Sequence, residues 1–397
     1  MSMSDQVLDS IDVVDLGQIY NGPYCSLLLS YMGANVTKIE PPHGEPLRDR
    51  VKDGEAPEFV MLNSNKEGMT LNLKTKEGKE IFKELIEDAD VLIENFSVGT
   101  MERLDLGYGD LTELNPELIY AHSSGFGEEG PYNEYPAMDL TIQAISGVMD
   151  VTGFPNGPPT KAGIAVGDFM GGIHLLAGVL GALYERELTG EGQFVEVSMH
   201  DSVFPTLMSP MAAHFNDDNV PPRTGNRHSG LAQSPYNVYE TADGYIAIFG
   251  VTNRHWHSLL EVIGREDLKD DPRFESNVKR SNHLNEVDEL VEGWTIERER
   301  DDIEETLLDA GVPCGPVKKL EEVADDPHLK ERGMINEIDH PDYGKISVPG
   351  LPIRFSGSDL PDIEPSPSKG RDTRKVMCER LGYSEAEFEE LEEKGVF

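Results

Sequence analysis

The chain has 397 residues, 38% of them hydrophobic, and 74 acidic against 34 basic residues give it a net charge of −40 at neutral pH. That length is too great for one ordinary core and sufficient for two domains, while a field of that sign excludes nucleic acid and anionic membrane surfaces as partners. Cys25, Cys314 and Cys378 are far apart and form no CxxC or Cys/His cluster, so neither a disulfide framework nor a zinc site is signalled and a reducing cytoplasm is expected.

The acidity is spread from Asp5 to Glu393 rather than gathered in a tail, which reads as a solvated acidic surface. Such a surface suits near-saturated salt, where charges are screened within ~3 Å, and predicts a halophilic, archaeal source. The opening MSMSDQVLDSID lacks the basic and apolar blocks of a secretory signal and reads as the start of the mature chain.

Residues 11–16, IDVVDL, read as a buried strand, Gly22–Met32 as a helix and Asn35–Glu40 as a second strand, a βαβ unit. After a loop containing NSNKEG come a strand at 70–73, a helix whose Ile81, Phe82, Leu85 and Ile86 share one face, and the strand VLIENF at 91–96. That order predicts a parallel sheet covered on both faces, a doubly wound α/β domain. Its first turn, GQIYNGPYC, has no GxGxxG and so speaks against a dinucleotide, and Pro23 suits the first turn of a helix. The most apolar stretch, Phe169–Tyr184, is shorter than the ~20 residues a bilayer requires, carries His174, and reads as a buried core helix with His174 as a satisfied core histidine.

From about Pro221 a turn-rich linker leads to a hairpin around Asp243-Gly244, helices at 254–264 and 283–310, and a connector, GVPCGPV, at 311–317. A short β segment, PDYGKISVPGLPIRF, and a helix opened by Ser384 and Glu387 as a capping box close the chain.

The chemistry concentrates in GIAVGDFMGG, where Asp168 falls between a small apolar strand and a long apolar helix. Position alone makes it a helix cap. Gly167, Gly171 and Gly172 clear side chains from around the carboxylate, which a cap does not need. The positive end of the helix is expected to keep the group ionised, as a nucleophile for a thioester carbonyl requires.

The runs NGPYCSLLLSYMGANVTKIEPP, NSNKEGMTLNLKTKEGKE, ADVLIENFSVGTMERLDLGY, SSGFGEEGPY, GPPTKAGIAVGDFMGG and AGVPCGPV together resemble the family III CoA-transferases, the group of the formyl-CoA:oxalate and carnitine enzymes. The resemblance covers nearly the whole chain. It implies a large doubly wound, Rossmann-like domain built from both chain ends (1–220 and 326–397), a smaller α+β domain at 221–325, and an interlocked homodimer. It also implies that Asp168 attacks an acyl-CoA to give a mixed anhydride, that CoA returns to form an aspartyl thioester, and that a free carboxylic acid then takes up the CoA. No metal and no tightly bound cofactor are implied; the coenzyme A thioester is itself a substrate.

The same resemblance makes Tyr20, Asn21, Leu71, Asn72, Asn95, Phe96 and Arg103 the CoA-site residues and places Asp139, Gly250 and Asn253 at the substrate or in a loop, 249–257, that covers the site. Lys38, Arg48, Arg50, Lys66 and Lys74 join Arg103 as candidate cations for the CoA polyanion, with a solvated surface charge as the alternative for each. Tyr20 and Asn21 stand where the formyl enzymes have Gln and Ala, which speaks against oxalate. The acceptor expected first is mesaconate with succinyl-CoA as donor, and an intramolecular C1–C4 shift of mesaconyl-CoA is an alternative. A 2-methylacyl-CoA racemase shares the fold but needs a base, and Met138 rather than a histidine precedes Asp139. A catalytically silent CoA-binding protein is the remaining alternative.

Overall fold

A computed structural model describes residues 6–51, 56–216 and 220–397, and the chain divides into two compact units. The first takes the chain up to Ile142, Ile164–Val203 and Asp326–Phe397; the second takes Gln143–Gly163 and Phe204–Asp325. Residues 143–163 and 204–216, which fall within the 1–220 portion of the sequence reading, thus cluster with the second unit.

In the first unit β1 (Asp12–Asp15), α1 (Asn21–Tyr31), β2 (Asn35–Glu40), β3 (Lys66–Thr70), α2 (Lys76–Glu87), β4 (Val91–Glu94), β5 (Ile119–Ser124), α3 (Val166–Thr189) and β6 (Phe194–Ser198) alternate. The six strands lie in the order β3-β2-β1-β4-β5-β6, and every neighbouring pair is parallel. Helices cover both faces, so the inner strands are apolar on both sides. Val14 points with Ile39, Met69 and Leu92 into a core closed by Ile81, Phe82 and Leu85 of α2. Val13 points the other way, with Val36 and Val91, into a core closed by Leu28 of α1 and Leu175 and Val179 of α3.

Two expectations are corrected here. The strand placed at 70–73 is Lys66–Thr70, so the KEG of NSNKEG is strand and not loop. The apolar stretch is longer than expected and only one of its faces is buried: Leu175, Leu176, Val179 and Leu183 pack on the sheet, whereas Ile173, His174, Tyr184 and Leu188 are exposed. By length and composition α3 could cross a membrane, but half of its apolar window is packed inside this unit. It ends on Gly190, whose φ of 75° lets its N–H reach the Arg186 carbonyl at 2.7 Å.

In the second unit β7 (Tyr236–Glu240) and β8 (Tyr245–Phe249) form the expected hairpin. They are followed by α4 (Asn253–Val262), α5 (Leu284–Thr295), α6 (Arg300–Asp309) and β9 (Cys314–Pro316). The sheet order is β7-β8-β9, antiparallel throughout, so the predicted connector supplies a third strand. The predicted helix 283–310 is two helices around Trp256, Leu259, Val287, Val291, Ile303 and Leu307. The chain then rejoins the first unit through the antiparallel pair β10 (Ile335–His340) and β11 (Gly344–Pro349). It ends in α7 (Glu385–Glu393), capped by Ser384 and Glu387 as predicted, with Phe388 in the α2 core.

Candidate active site

In an open parallel sheet, ligands bind beyond the carboxyl ends of the strands where the strand order reverses. That point lies here between β1 and β4. The chain leaves β1 through Gln18, whose N–H donates to Asn95 Oδ1 at 2.7 Å and whose carbonyl accepts from Asn95 Nδ2 at 2.9 Å. Asn95 therefore spends both amide atoms clamping one strand's exit to the next. Ile19 follows at φ 63°, a conformation that β-branched residues adopt only under constraint. The constraint is the Asn95 clamp on one side and Glu45, which accepts from the Ile19 N–H at 3.2 Å, on the other.

Beneath this turn lies a buried charge network. Lys66 Nζ donates to Asp15 Oδ2 (3.0 Å), Ser26 Oγ (2.8 Å), Asn63 Oδ1 (2.8 Å) and the Pro23 carbonyl (3.1 Å). Asp15 Oδ1 accepts from the Gly17 N–H at 2.7 Å, and Lys38 Nζ donates to the Gly17 carbonyl at 2.7 Å. Arg48 forms a bidentate pair with Glu40 and lies over the Phe59 ring. Three of the candidate CoA cations are therefore engaged within the protein, which corrects the surface reading of these residues: Lys66 is buried in a pair with Asp15, Lys38 is buried on the Gly17 carbonyl, and the half-buried Arg48 is paired with Glu40. Lys74, Arg50 and Arg103 remain exposed.

Over the turn opens a cavity of about 780 Å³ lined by Gln18, Ile19, Asn21, Asn95, Phe96, Arg103, Ser123 and Asp168 among others. A second cavity of about 280 Å³, with Leu71, Asn72 and Lys74 in its wall, shares Gln18, Phe96 and Thr100 with the first. The two make a continuous lining along the ends of β1, β3 and β4. Phe96 is pinned where they meet: its N–H donates to Glu94 Oε2 at 2.8 Å and its carbonyl faces His122 Nε2 at 3.2 Å. Burial works against a charge on His122, but the hydrogen bond to Glu128 and the charge of Glu94 outweigh it and push the imidazolium up to about 9.

Asp168 is the third residue of α3 and 8% exposed. Residues 163–165 before it are not strand, and no side chain of the N-cap residue Ala165 caps the helix. Instead Asp139 Oδ1 accepts from the Gly167 N–H at 2.7 Å, satisfying one free donor of the first turn from a distant segment. Burial first, then the Asp139 charge, push the Asp168 carboxyl up to about 7 against a smaller lowering by Arg50. The helix end therefore does not hold this group fully ionised, contrary to the sequence reading. The glycines also have a different task. A Cβ on Gly171 would lie 2.2 Å from Asn21 Nδ2, and one on Gly172 would lie 2.7 Å from the Asn21 carbonyl. They let α1 approach α3.

Of the predicted site residues, Asp168, Asn21, Asn95, Phe96 and Arg103 share the larger cavity, and Leu71, Asn72 and Phe96 share the smaller one. Tyr20 lies beside them, its ring stacked on Phe169 and its hydroxyl accepting from Arg50 at 2.6 Å. Gly250 and Asn253 belong to the second unit. There Asn253 opens α4, its Oδ1 accepts from the buried Arg280, and Trp256 is core, so much of 249–257 is built into the fold of that unit. Ser123 was missed by the sequence reading; its signal was a pair of serines at the carboxyl end of a buried strand.

The chain matches CoA-transferase family III over residues 8–373. It is 35% identical to the formyl-CoA:oxalate CoA-transferase of Streptomyces coelicolor, covering 99% of this chain and 100% of that one. It is 38% identical to the succinyl-CoA:mesaconate CoA-transferase of Haloarcula hispanica, covering 88% and 90%. Among solved structures, a CAIB/BAIF family protein from Brucella suis superposes with a TM-score of 0.84 at 33% identity, covering 95% of this chain and 100% of that one.

Proposed function

The chain belongs to CoA-transferase family III, and from that membership we propose that it moves CoA from succinyl-CoA to a free dicarboxylate, mesaconate first, with Asp168 as the nucleophile. The observation that carries this reading is a buried carboxylate on the wall of a cavity large enough for an acyl-CoA arm, at the strand-order reversal of a parallel sheet. The Asp168 carboxylate adds to the thioester carbonyl and expels CoA thiolate, leaving a mixed anhydride. The thiolate attacks the Asp168 acyl carbon, releases the donor acid as its carboxylate and leaves an aspartyl thioester. The acceptor carboxylate displaces CoA again to form a second anhydride, and the thiolate attacks the acceptor's carbonyl to give the new acyl-CoA and free Asp168. No proton is consumed in the cycle. In this reading Phe96, Arg103, Leu71, Asn72 and Lys74 line the path of the CoA arm and Asp139 orients the first turn of α3, which their positions in the two cavity walls and the Gly167 N–H bond to Asp139 support.

The acceptor assignment rests on the Haloarcula relative; relatives acting on oxalate match at similar identity. Succinyl-CoA and a series of isotopically labelled acids test it: label is expected in mesaconyl-CoA faster than in any oxalyl ester. Absence of label in every CoA ester would refute the transferase reading for this chain. We also assign it to the cytoplasm as a homodimer. Its free cysteines suit a reducing compartment, and the exposed apolar face of α3, Ile173, Tyr184 and Leu188, is a surface for a second copy.

The raised Asp168 pKa sets the pH dependence. A carboxyl must lose its proton to attack, so single-turnover acylation by succinyl-CoA is expected to rise with pH through about 7. Asp139→Asn keeps an oxygen for the Gly167 N–H but removes the like charge, so the limb should move to lower pH. A limb that stays in place in that variant refutes the electrostatic link.

The charge of −40 supports a halophilic enzyme. Acidic groups repel over ~30 Å at 0.01 M salt and only ~3 Å at 1 M, so circular dichroism is expected to show loss of structure on dialysis from molar salt to a dilute buffer. An unchanged spectrum at both salt levels would contradict this assignment.

A further inference from the structure

Two buried polar side chains in the larger cavity have no hydrogen-bond partner among the described residues. Asn21, the first residue of α1, is 2% exposed and neither its Nδ2 nor its Oδ1 makes a hydrogen bond. Ser123, near the end of β5, is also 2% exposed, and its Oγ is unpaired. Both line the cavity that contains Asp168. Their neighbours are different: Asn95 spends both amide atoms on Gln18, and Ser124 Oγ accepts from the Gly127 N–H at 2.9 Å. The polar groups here thus divide into those that hold the chain and those that are left for something else. Buried polar groups are almost always satisfied, and an exception calls for a ligand, a water or a function.

The position of Asn21 indicates which part of a ligand it meets. Its Nδ2 lies against Gly171, 2.2 Å from where a side chain there would begin. Gly171 is three residues beyond Asp168 on α3, and positions so related on a helix lie about 5–6 Å apart at Cβ. Helical side chains also lean toward the N-terminus, which carries the Asp168 carboxylate away from Gly171. A small acid joined through one carboxyl to Asp168 would bring its other end, not its reacting carbon, to Asn21.

We propose that Asn21 and Ser123 form a neutral receptor for the second carboxylate of a diacid, and that this receptor makes the enzyme select diacids over monoacids of the same length. The proposal rests on the transferase reading of Asp168. An amide N–H and a hydroxyl supply donors to a carboxylate without a formal charge, and a site built to hydrogen-bond a group discriminates strongly against an analogue that lacks it.

The test is the ratio of kcat/KM for mesaconate to that for the matching monoacid with a methyl in place of the distal carboxyl. The parent enzyme is expected to favour the diacid by more than about 100-fold, and Asn21→Ala to reduce that ratio by about 10- to 100-fold. Asn21→Asp keeps the shape and sets a like charge opposite the diacid, so it should lower the ratio further; Ser123→Ala should lower it less. A parent ratio near one overturns the proposal. So does a fall shared equally by both acids, which would mean packing or action at the reacting carbon, and so does a ratio that survives all three substitutions, which would mean that water satisfies both groups. Failure of the transferase reading is distinguishable, since the parent enzyme incubated with succinyl-CoA and hydroxylamine would then give no hydroxamate at Asp168, the product expected when hydroxylamine displaces CoA from an aspartyl thioester.

Discussion

Asp168→Asn should abolish CoA transfer, by on the order of 10⁴-fold or more, while the protein becomes more stable above neutral pH. The two halves come from the same burial. An amide of nearly the same shape keeps the first turn of α3 and the cavity wall, but it offers no carboxylate to carry an acyl group, so no anhydride forms. Stability follows from the sign of the shift. The folded-state pKa is raised to about 7 from an ordinary 3.8, so between those values the native state binds more protons than the unfolded chain and stability falls as pH rises. The penalty is complete above about pH 7 and absent below about pH 4. Removing the titrating group should therefore raise the melting temperature at pH 8 and leave it unchanged at pH 4, a trade of stability for function at a reactive site. Rates are measured in molar salt with succinyl-CoA, and melting by circular dichroism in the same buffers. A parental rate in the folded variant would remove Asp168 from the mechanism; loss of rate together with a lower melting temperature at pH 8 would mean that the residue is a cap after all.

The sequence reading succeeded where burial and periodicity coincide. Val13-Val14 and Val91–Ile93 are apolar without alternation because helices cover both sheet faces, and α2 shows its Ile81, Phe82, Leu85 and Ile86 stripe plainly. It failed where a polar residue is buried by a partner distant in sequence. The start of β3 reads as loop because it opens with Lys66, Glu67 and Gly68, yet Lys66 is fully buried by Asp15, 51 positions earlier. Lys38, buried on the Gly17 carbonyl 21 positions earlier, misleads in the same way. The break between α5 and α6 has no proline or glycine; it falls where the Arg298 carbonyl accepts from Ala242 and the Arg300 N–H donates to Asp243, contacts from the hairpin that local sequence does not contain. In the site, Asp168 was legible from its glycine-rich setting, although those glycines serve helix packing. Which polar groups there are spent and which are free was not legible, because it depends on pairings such as Asn95 with Gln18.

The buried network under the Gln18 turn gives the largest stability effect expected away from Asp168. Burial works against the charge on Asp15, but Lys66 and Lys38 overcome it and hold the carboxyl below its ordinary range. Burial pulls the Lys66 amine down to about 8, so the pair is still ionic at pH 7. Lys66→Met removes the cation and leaves Asp15 charged and fully buried, for which the expected destabilisation is about 3–5 kcal/mol. Adding Asp15→Asn should recover much of that, since the amide oxygen can still accept from the Gly17 N–H and no buried charge is left unpaired. Because Asp15 and Lys38 hold both backbone groups of Gly17, the single variant should also loosen the turn that presents Ile19 and Asn21 to the cavity, raising KM for the acceptor acid more than it lowers kcat. Urea unfolding in molar salt reads the first effect through the midpoint at constant slope, and steady-state kinetics read the second. A single variant within about 1 kcal/mol of the parent, or a double variant no more stable than the single, would show that the charge pair is not what fixes this turn.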